Sequence, residues 1–413
     1  MTETDNLLIQ MRSAPWQAPA WALPYSRTLH TAVDCFPMRK LLYLTLSMAL
    51  IAALTTYAMW AADRPVGHYL SDLRIDLAVD QGVPGTHGNL LGIQPELFPT
   101  DYQSPARLHR KLAAYLQKAE QQGLLNEKTI VVLPEHVGTW LMVSGEKDEL
   151  YQATTLKEAM NWLAASNPLK FARAWIGAEG DNRLDDAHLR MKAKGMAKDY
   201  QALFGGLAKE FNVTLVAGSI VLPEPSIIDG RLRIGRGALF NSSVVFGRDG
   251  LPIGQPQRQI HPVFDQSDVI AANGEHAMNV VDTPAGRLGV LIGSDSWYPD
   301  NYRKLNEQGA QLVAVPAYVM GRGAWDQPWR GYKGLATPSS VSLKAGELSE
   351  GQAWQRLTLT AQPPSSQAIG GMSVFLRGQF WDKGSAGHSF LSSNGQHFAD
   401  GDARGARLLN LWL

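Results

Sequence analysis

Residues 41–62 read LLYLTLSMALIAALTTYAMWAA and contain no charged side chain. At about 1.5 Å per residue, that run matches a hydrocarbon core of roughly 30 Å. It predicts one membrane-spanning helix. The competing reading, a buried core helix, fits poorly with so long an uncharged run directly behind the basic pair Arg39-Lys40. Pro15, Pro19, Pro24 and Pro37 interrupt what precedes it, and residues 1–40 read as a flexible tail. Arg27, Arg39 and Lys40 put the basic side before the span. The positive-inside rule then expects a cytoplasmic N-terminus and a single-pass protein whose main domain is extracytoplasmic, hence periplasmic in a Gram-negative cell. A start at Met38 would make the same segment resemble a signal peptide. Met59 and Trp60 spoil its cleavage pattern, so an uncleaved anchor is expected.

From about residue 72, strand-like and helix-like patterns alternate. LRIDLAV (73–79), TIVVLPEH (129–136), VTLVAGSIVL (213–222) and QLVAVPAYV (311–319) read as strands. Residues 106–123, 199–212 and 302–309 carry helical spacing, two of them stopping at glycine. Residues 239–250 predict a strand and an Asp-Gly turn, 277–293 a hairpin, and the C-terminal stretch two strands about an Asn-Gly turn. The alternation predicts an α/β layered domain over 65–413. Residues 139–195 and 320–370, rich in Trp and Pro, read as loops or insertions.

Composition narrows the function. Hydrophobic residues are 45% and charged residues 18% of 413, a globular mixture, and the net charge is zero, so nucleic acid is not an expected partner. The single cysteine, Cys35, precedes the apolar run. Intramolecular disulfides are excluded, and the domain has no thiol nucleophile of its own. Neither a metal-binding signature nor a GxSxG nucleophile motif occurs, and no metal or cofactor is expected.

Three motifs then stand out. LPEH (133–136) ends a strand in a carboxylate. FNSSVVFGRDGLPIGQPQRQIHPVF (240–264) joins Asn, an apolar strand, a glycine turn and Gln-Ile-His. DTPAGRLGVLIGSDSWYPDNYRKLNEQGAQLVAVPA (282–317) leads an apolar strand into Gly-Ser-Asp and on to Pro299. In this order they resemble the nitrilase, or carbon–nitrogen hydrolase, superfamily. The resemblance implies a nitrilase-type αββα sandwich, here preceded by one transmembrane helix. It also implies hydrolysis at amide or nitrile carbon by a Glu-Lys-Cys triad. In that chemistry a thiolate attacks, a carboxylate carries the proton and an ammonium stabilises the developing charge.

By that resemblance Glu135 stands at the general-base position and is retained. Gln259 stands at the lysine position. Gly293, six residues before Pro299, stands at the cysteine position and has no side chain to attack with. Ser294 is the substitute nucleophile to consider, although strand alternation would point it away. His261, Asp295 and Trp297 are candidate binding residues. His136 and Arg258 are weighed as a base and a replacement charge, but each reads better as structural or solvated. Asp326, Arg330 and Lys333 read as a solvated loop. As a set, Trp140, Trp162, Trp175, Trp325, Trp329, Trp354 and Trp381 are candidates to line a cleft.

Two functions follow. One is a membrane-anchored pseudoenzyme that binds a small amide- or acyl-containing ligand, or a protein partner. The other is a divergent amidase-like hydrolase using Glu135 with Ser294 or an activated water. Family relatives commonly pair, so a homodimer is expected.

Overall fold

The computed structural model describes residues 36–64, 72–263, 269–272, 278–332, 335–359, 369–393, 395–399, 401 and 404–413. Residues 1–35 of the expected tail, Cys35 and Lys333 lie outside them. The chain forms two units, one ending at Met59 and the other running Trp60–Leu413.

Helix α1 spans Phe36–Ala62. Its stretch Met38–Ala62 has a mean hydropathy of 1.7 and no buried residue, and it is long and apolar enough to cross a membrane. It starts earlier than residue 41 because Arg39 and Lys40, both good helix formers, join its first turns.

The elements of the second unit begin with β1 (Ile75–Gln81), β2 (Asn89–Gln94), β3 (Glu96–Leu97), α2 (Pro105–Gln121) and β4 (Thr129–Val132). Next come α3 (Asp148–Gln152), α4 (Leu156–Ala165), α5 (Pro168–Ile176), α6 (Arg183–Glu210), β5 (Thr214–Val216) and β6 (Ile220–Pro223). After them lie β7 (Ser226–Ile228), β8 (Arg231–Arg233), β9 (Leu239–Phe246), β10 (Pro252–Arg258), β11 (Val280–Thr283) and β12 (Gly286–Val290). The last stretch holds α7 (Pro299–Glu307), β13 (Leu312–Ala317), α8 (Glu350–Leu357), β14 (Gly370–Phe375), β15 (Arg377–Phe380), β16 (Lys383–Ala386), β17 (Phe390–Ser393), β18 (Gln396–Ala399) and β19 (Ala406–Trp412).

An eight-stranded sheet runs β1-β19-β2-β4-β5-β9-β10, with β6 also on β9, and a six-stranded sheet runs β11-β12-β13-β14-β17-β18. Period-two alternation makes the layers. In β4, Ile130 and Val132 face the second sheet while Val131 packs toward α2 and α6. In β13, Leu312 and Ala314 meet the first sheet while Val313 and Val315 pack on Tyr302 and Leu305 of α7. The result is helix, sheet, sheet, helix: an αββα sandwich whose middle layer is the aliphatic contact between the two sheets.

Three expectations need correction. Residues 139–195 are largely helical, holding α3, α4, α5 and the first turns of α6. Their helices are short or only weakly amphipathic, so a periodicity reading does not find them. The strand expected over 213–222 is two strands, β5 and β6, broken at Gly218. This residue has φ +63°, and a Cβ there would fall 2.0 Å from the Pro134 carbonyl oxygen. The C-terminus adds β19, paired with both β1 and β2, to the expected hairpin.

Candidate functional site

Three strands deliver the site. Glu135 lies three residues beyond β4, Gln259 directly follows β10, and Gly293 lies three residues beyond β12. The turn at His136 has φ +62° and is held by the Ser219 hydroxyl accepting from the His136 backbone N–H at 2.8 Å. A left-handed conformation at a residue other than glycine is a local strain, fixed here by that bond.

The structure brings Glu135, Gln259, Gly293 and Ser294 together. Asn241 on β9 bridges the first two: its Nδ2 donates to Glu135 Oε1 at 2.8 Å and to Gln259 Oε1 at 3.0 Å. Gln259 Nε2 in turn donates to the Ile292 carbonyl at 3.3 Å and to Ser294 Oγ at 3.4 Å. Both N–H groups of that amide are therefore engaged. Gly293 has φ +52°, and a Cβ built on it would sit 2.8 Å from Glu135 Oε2. Position 293 thus aims at the carboxylate, and in this chain it carries a hydrogen.

Ser294 corrects the alternation argument. β12 ends at Val290, and Gly293–Trp297 form a 3-10 turn, so Ser294 lines the same cavity as Glu135. Its hydroxyl proton goes to the His261 carbonyl. Asp295 secures the crossing of the two segments. Its carboxylate accepts from the backbone N–H of Ile260 at 3.0 Å and of His261 at 2.7 Å, and its carbonyl accepts from Asn301 Nδ2 at 2.8 Å. Burial pushes its carboxyl up to about 7, against the backbone donors that lower it.

His261 stacks on Tyr298 with ring centroids 3.6 Å apart, and burial lowers its imidazole to about 4. His136 is likewise lowered to about 4 by burial, with Nε2 3.6 Å from Glu135 Oε1. Both rings are therefore neutral and weakly basic, and the Ser294 hydroxyl donates to the His261 backbone carbonyl rather than to a ring. Arg258 stacks on Phe240 and donates to the Pro225 carbonyl at 3.0 Å, so its charge is engaged there.

The cavity holds about 60 Å³, room for a few waters or a small organic group. Glu135, Gln259 and Ser294 line it, together with Trp297, Tyr318 and Trp354. Trp297 Nε1 and Tyr318 Oη are buried with no hydrogen-bond partner among the described residues. Burial, with the nearby Glu135, raises the Tyr318 phenol, so it stays a donor. Asp326 and Arg330 are exposed, as a solvated loop requires, and Arg330 and Glu350 also border this cavity.

The tryptophans expected to line one cleft divide instead. Trp325, Trp329 and Trp354 pack with Trp297 in one aromatic cluster. Trp140 and Trp381 meet at Phe380, Trp162 meets Trp60, and Trp175 is partly exposed on α5. Sequence reasoning missed Asn241 and Tyr318 as site residues. Their signals were an amide inside an apolar strand and a polar residue at a strand end. Arg330 and Glu350 come from an insertion with no local signal. Among the described residues no group of three His, Cys, Asp or Glu is placed to hold a metal ion.

A buried carboxylate at the end of one strand, facing a strand-to-helix turn across an αββα sandwich, is the arrangement of a carbon–nitrogen hydrolase fold. The chain belongs to the carbon-nitrogen hydrolase family, whose sequence profile matches residues 93–331. It is 38% identical over 72 residues to the deaminated glutathione amidase of Yersinia enterocolitica, a match covering 17% of this chain and 24% of that protein. It is 25% identical over 119 residues to the probable hydrolase YhcX of Bacillus subtilis, covering 29% of this chain and 21% of that protein. The matches thus span about a quarter of the length of these curated relatives. Among solved structures, it is similar to an amidase from Nesterenkonia sp., with 14% identity, a TM-score of 0.46 and coverage of 80% of this chain and 92% of that one. It is also similar to a carbon-nitrogen hydrolase from Helicobacter pylori, with 18% identity, a TM-score of 0.48 and coverage of 78% and 88%.

Proposed function

We propose that this chain is a membrane-anchored carbon–nitrogen hydrolase-fold domain that has lost the family's thiol chemistry and binds a small amide- or acyl-bearing ligand. In this reading residues 1–40 are a cytoplasmic tail, 41–62 the anchor and 65–413 an extracytoplasmic domain. The observation that carries the reading is Gly293, which puts a hydrogen where a side chain would meet Glu135. Two further facts support it. Gln259 brings no positive charge to the lysine position, and its amide protons are already engaged. The unpartnered donors of Trp297 and Tyr318, beside the Glu135 carboxylate, suit the carbonyl and N–H₂ of a small amide.

A second reading has one observation in its favour: Ser294 lines the cavity with Glu135. For that serine to attack, its proton must leave the His261 carbonyl for Glu135, and the tetrahedral oxyanion must form without the family's ammonium group.

The test is a turnover screen of the full chain in detergent on amides, nitriles and acyl esters, beside Glu135→Ala and Ser294→Ala. We expect no turnover, together with saturable binding of small primary amides that weakens in Glu135→Ala. Turnover abolished by both substitutions would establish a serine enzyme and overturn the binding reading. Turnover abolished by Glu135→Ala alone would establish water activation and overturn it equally.

A further inference from the structure

Outside α1, large aliphatic side chains are seldom bare, and helix α5 is an exception. None of its residues is buried, and Leu169 and Ile176 are 85% and 82% exposed. Seven residues apart, they fall two turns apart on one stripe, with Ala172 between them and Arg173 alongside. The opposite side of α5 is accounted for: Phe171 packs on His188 of α6 at 5.0 Å, and the Arg183 guanidinium lies 5.3 Å over Trp175. The outward stripe is therefore apolar by sequence rather than by misplacement, and Arg173 and Lys170 run along one side of it.

The place of α5 in the fold says what covers that stripe. Residues 60–64 belong to the larger unit and are held against the helices that lead into α5. The Trp60 ring meets Trp162 of α4 at 6.1 Å, its Nε1 donates to Glu149 at 3.3 Å, and Lys147 Nζ stands 4.7 Å over it. Lys147 Nζ also donates to the Asp63 carbonyl at 2.6 Å. Arg64 pairs with the buried Glu146 at 2.6 Å and donates to the Ser166 carbonyl at 3.2 Å. Ser166 and Asn167 also donate to Glu146, and α5 begins at Pro168. Arg64, two residues beyond the apolar helix, and Ser166 and Asn167, which lead into α5, are thus tied to one carboxylate.

We infer that α5 is an interfacial helix: it lies on the same bilayer surface from which the anchor emerges, with Leu169 and Ile176 in the acyl boundary and Lys170 and Arg173 among anionic headgroups. This rests on reading residues 41–62 as a membrane anchor. The bilayer contact would orient the domain on the membrane, in addition to tethering it.

The test uses the full chain with Cys35→Ser, reconstituted in phosphatidylcholine–phosphatidylglycerol vesicles. Single cysteines at Ile176→Cys, Leu251→Cys and Leu50→Cys carry an environment-sensitive fluorophore. Nitroxide-bearing lipid should quench the labels at 176 and 50 several-fold more than the label at 251, and aqueous iodide should do the reverse. Iodide quenching at 176, with lipid quenching at 50, overturns the inference and leaves the anchor standing. A label at 176 reached by neither quencher puts protein over the stripe, a second copy of this chain included, and also overturns it. Loss of lipid quenching at 50 removes the anchor reading, and the inference with it.

Discussion

Glu135 and Glu146 are both buried glutamates on loops that follow β4, and their surroundings differ in kind. Glu146 is enclosed by charge from distant parts of the chain: Arg64 and Lys192, each at 2.6 Å, with Ser166 and Asn167 completing its shell. Glu135 is approached by the neutral amide of Asn241, the neutral ring of His136 and the bare backbone of Gly293. The first surrounding is that of a structural lock, because removing any member leaves buried charge behind. The second sets the carboxylate among neutral groups on the lining of a cavity.

The sharpest way to break that comparison is Glu146→Gln. It keeps the shape but leaves Arg64 and Lys192 facing an amide, and should cost about 3 kcal/mol, read as a lowered unfolding midpoint. Next, Gly293→Ala introduces a Cβ at φ +52° and 2.8 Å from Glu135 Oε2. It should cost about 1–3 kcal/mol and abolish amide binding through displacement of the carboxylate. Gln259→Ala removes the partner of Asn241 Nδ2 and Ser294 Oγ, for about 1–2 kcal/mol by denaturant titration. Had Gln259 been an open donor into the cavity, that variant would lose ligand affinity with little loss of stability.

The smallest effect is in pH. His136 and His261 stay neutral in the fold to about pH 4, below the ordinary 6.5. The unfolded chain takes up those protons first, so their contribution is complete above about pH 6.5 and is lost as pH falls toward 4. Asp295 runs the other way. Its carboxyl keeps its proton to about 7 in the fold, so stability falls as pH rises from about 3.8 to 7. Histidine chemical shifts followed against pH should stay flat down to about pH 4 for both rings. A midpoint near 6.5 for His136 would place water, not packed protein, beside Glu135.

Much of the site was legible because it lies where strands end. The short segments around Glu135, Gln259 and Gly293 carry their register in local pattern, and Pro299 fixes position 293 by counting alone. The apolar run of α1 was equally plain, since length and lack of charge are properties of one segment. The direction of Ser294 was not legible, because alternation holds only within a strand and the strand ends at Val290. The helices of 139–195 escaped notice because their stabilising contacts, such as Phe171 on His188 and Glu146 on Arg64, are made with residues far away in sequence. The sequence by itself determined the apolar helix, the alternation of strands and helices that follows it, and the family. Only the tertiary structure decided that Gln259 is locked by Asn241, that Ser294 gives its proton to a backbone carbonyl, and that α5 presents Leu169 and Ile176 outward. Each depends on which groups meet across the fold, and hydrogen-bond satisfaction and burial are properties of those meetings rather than of any one segment.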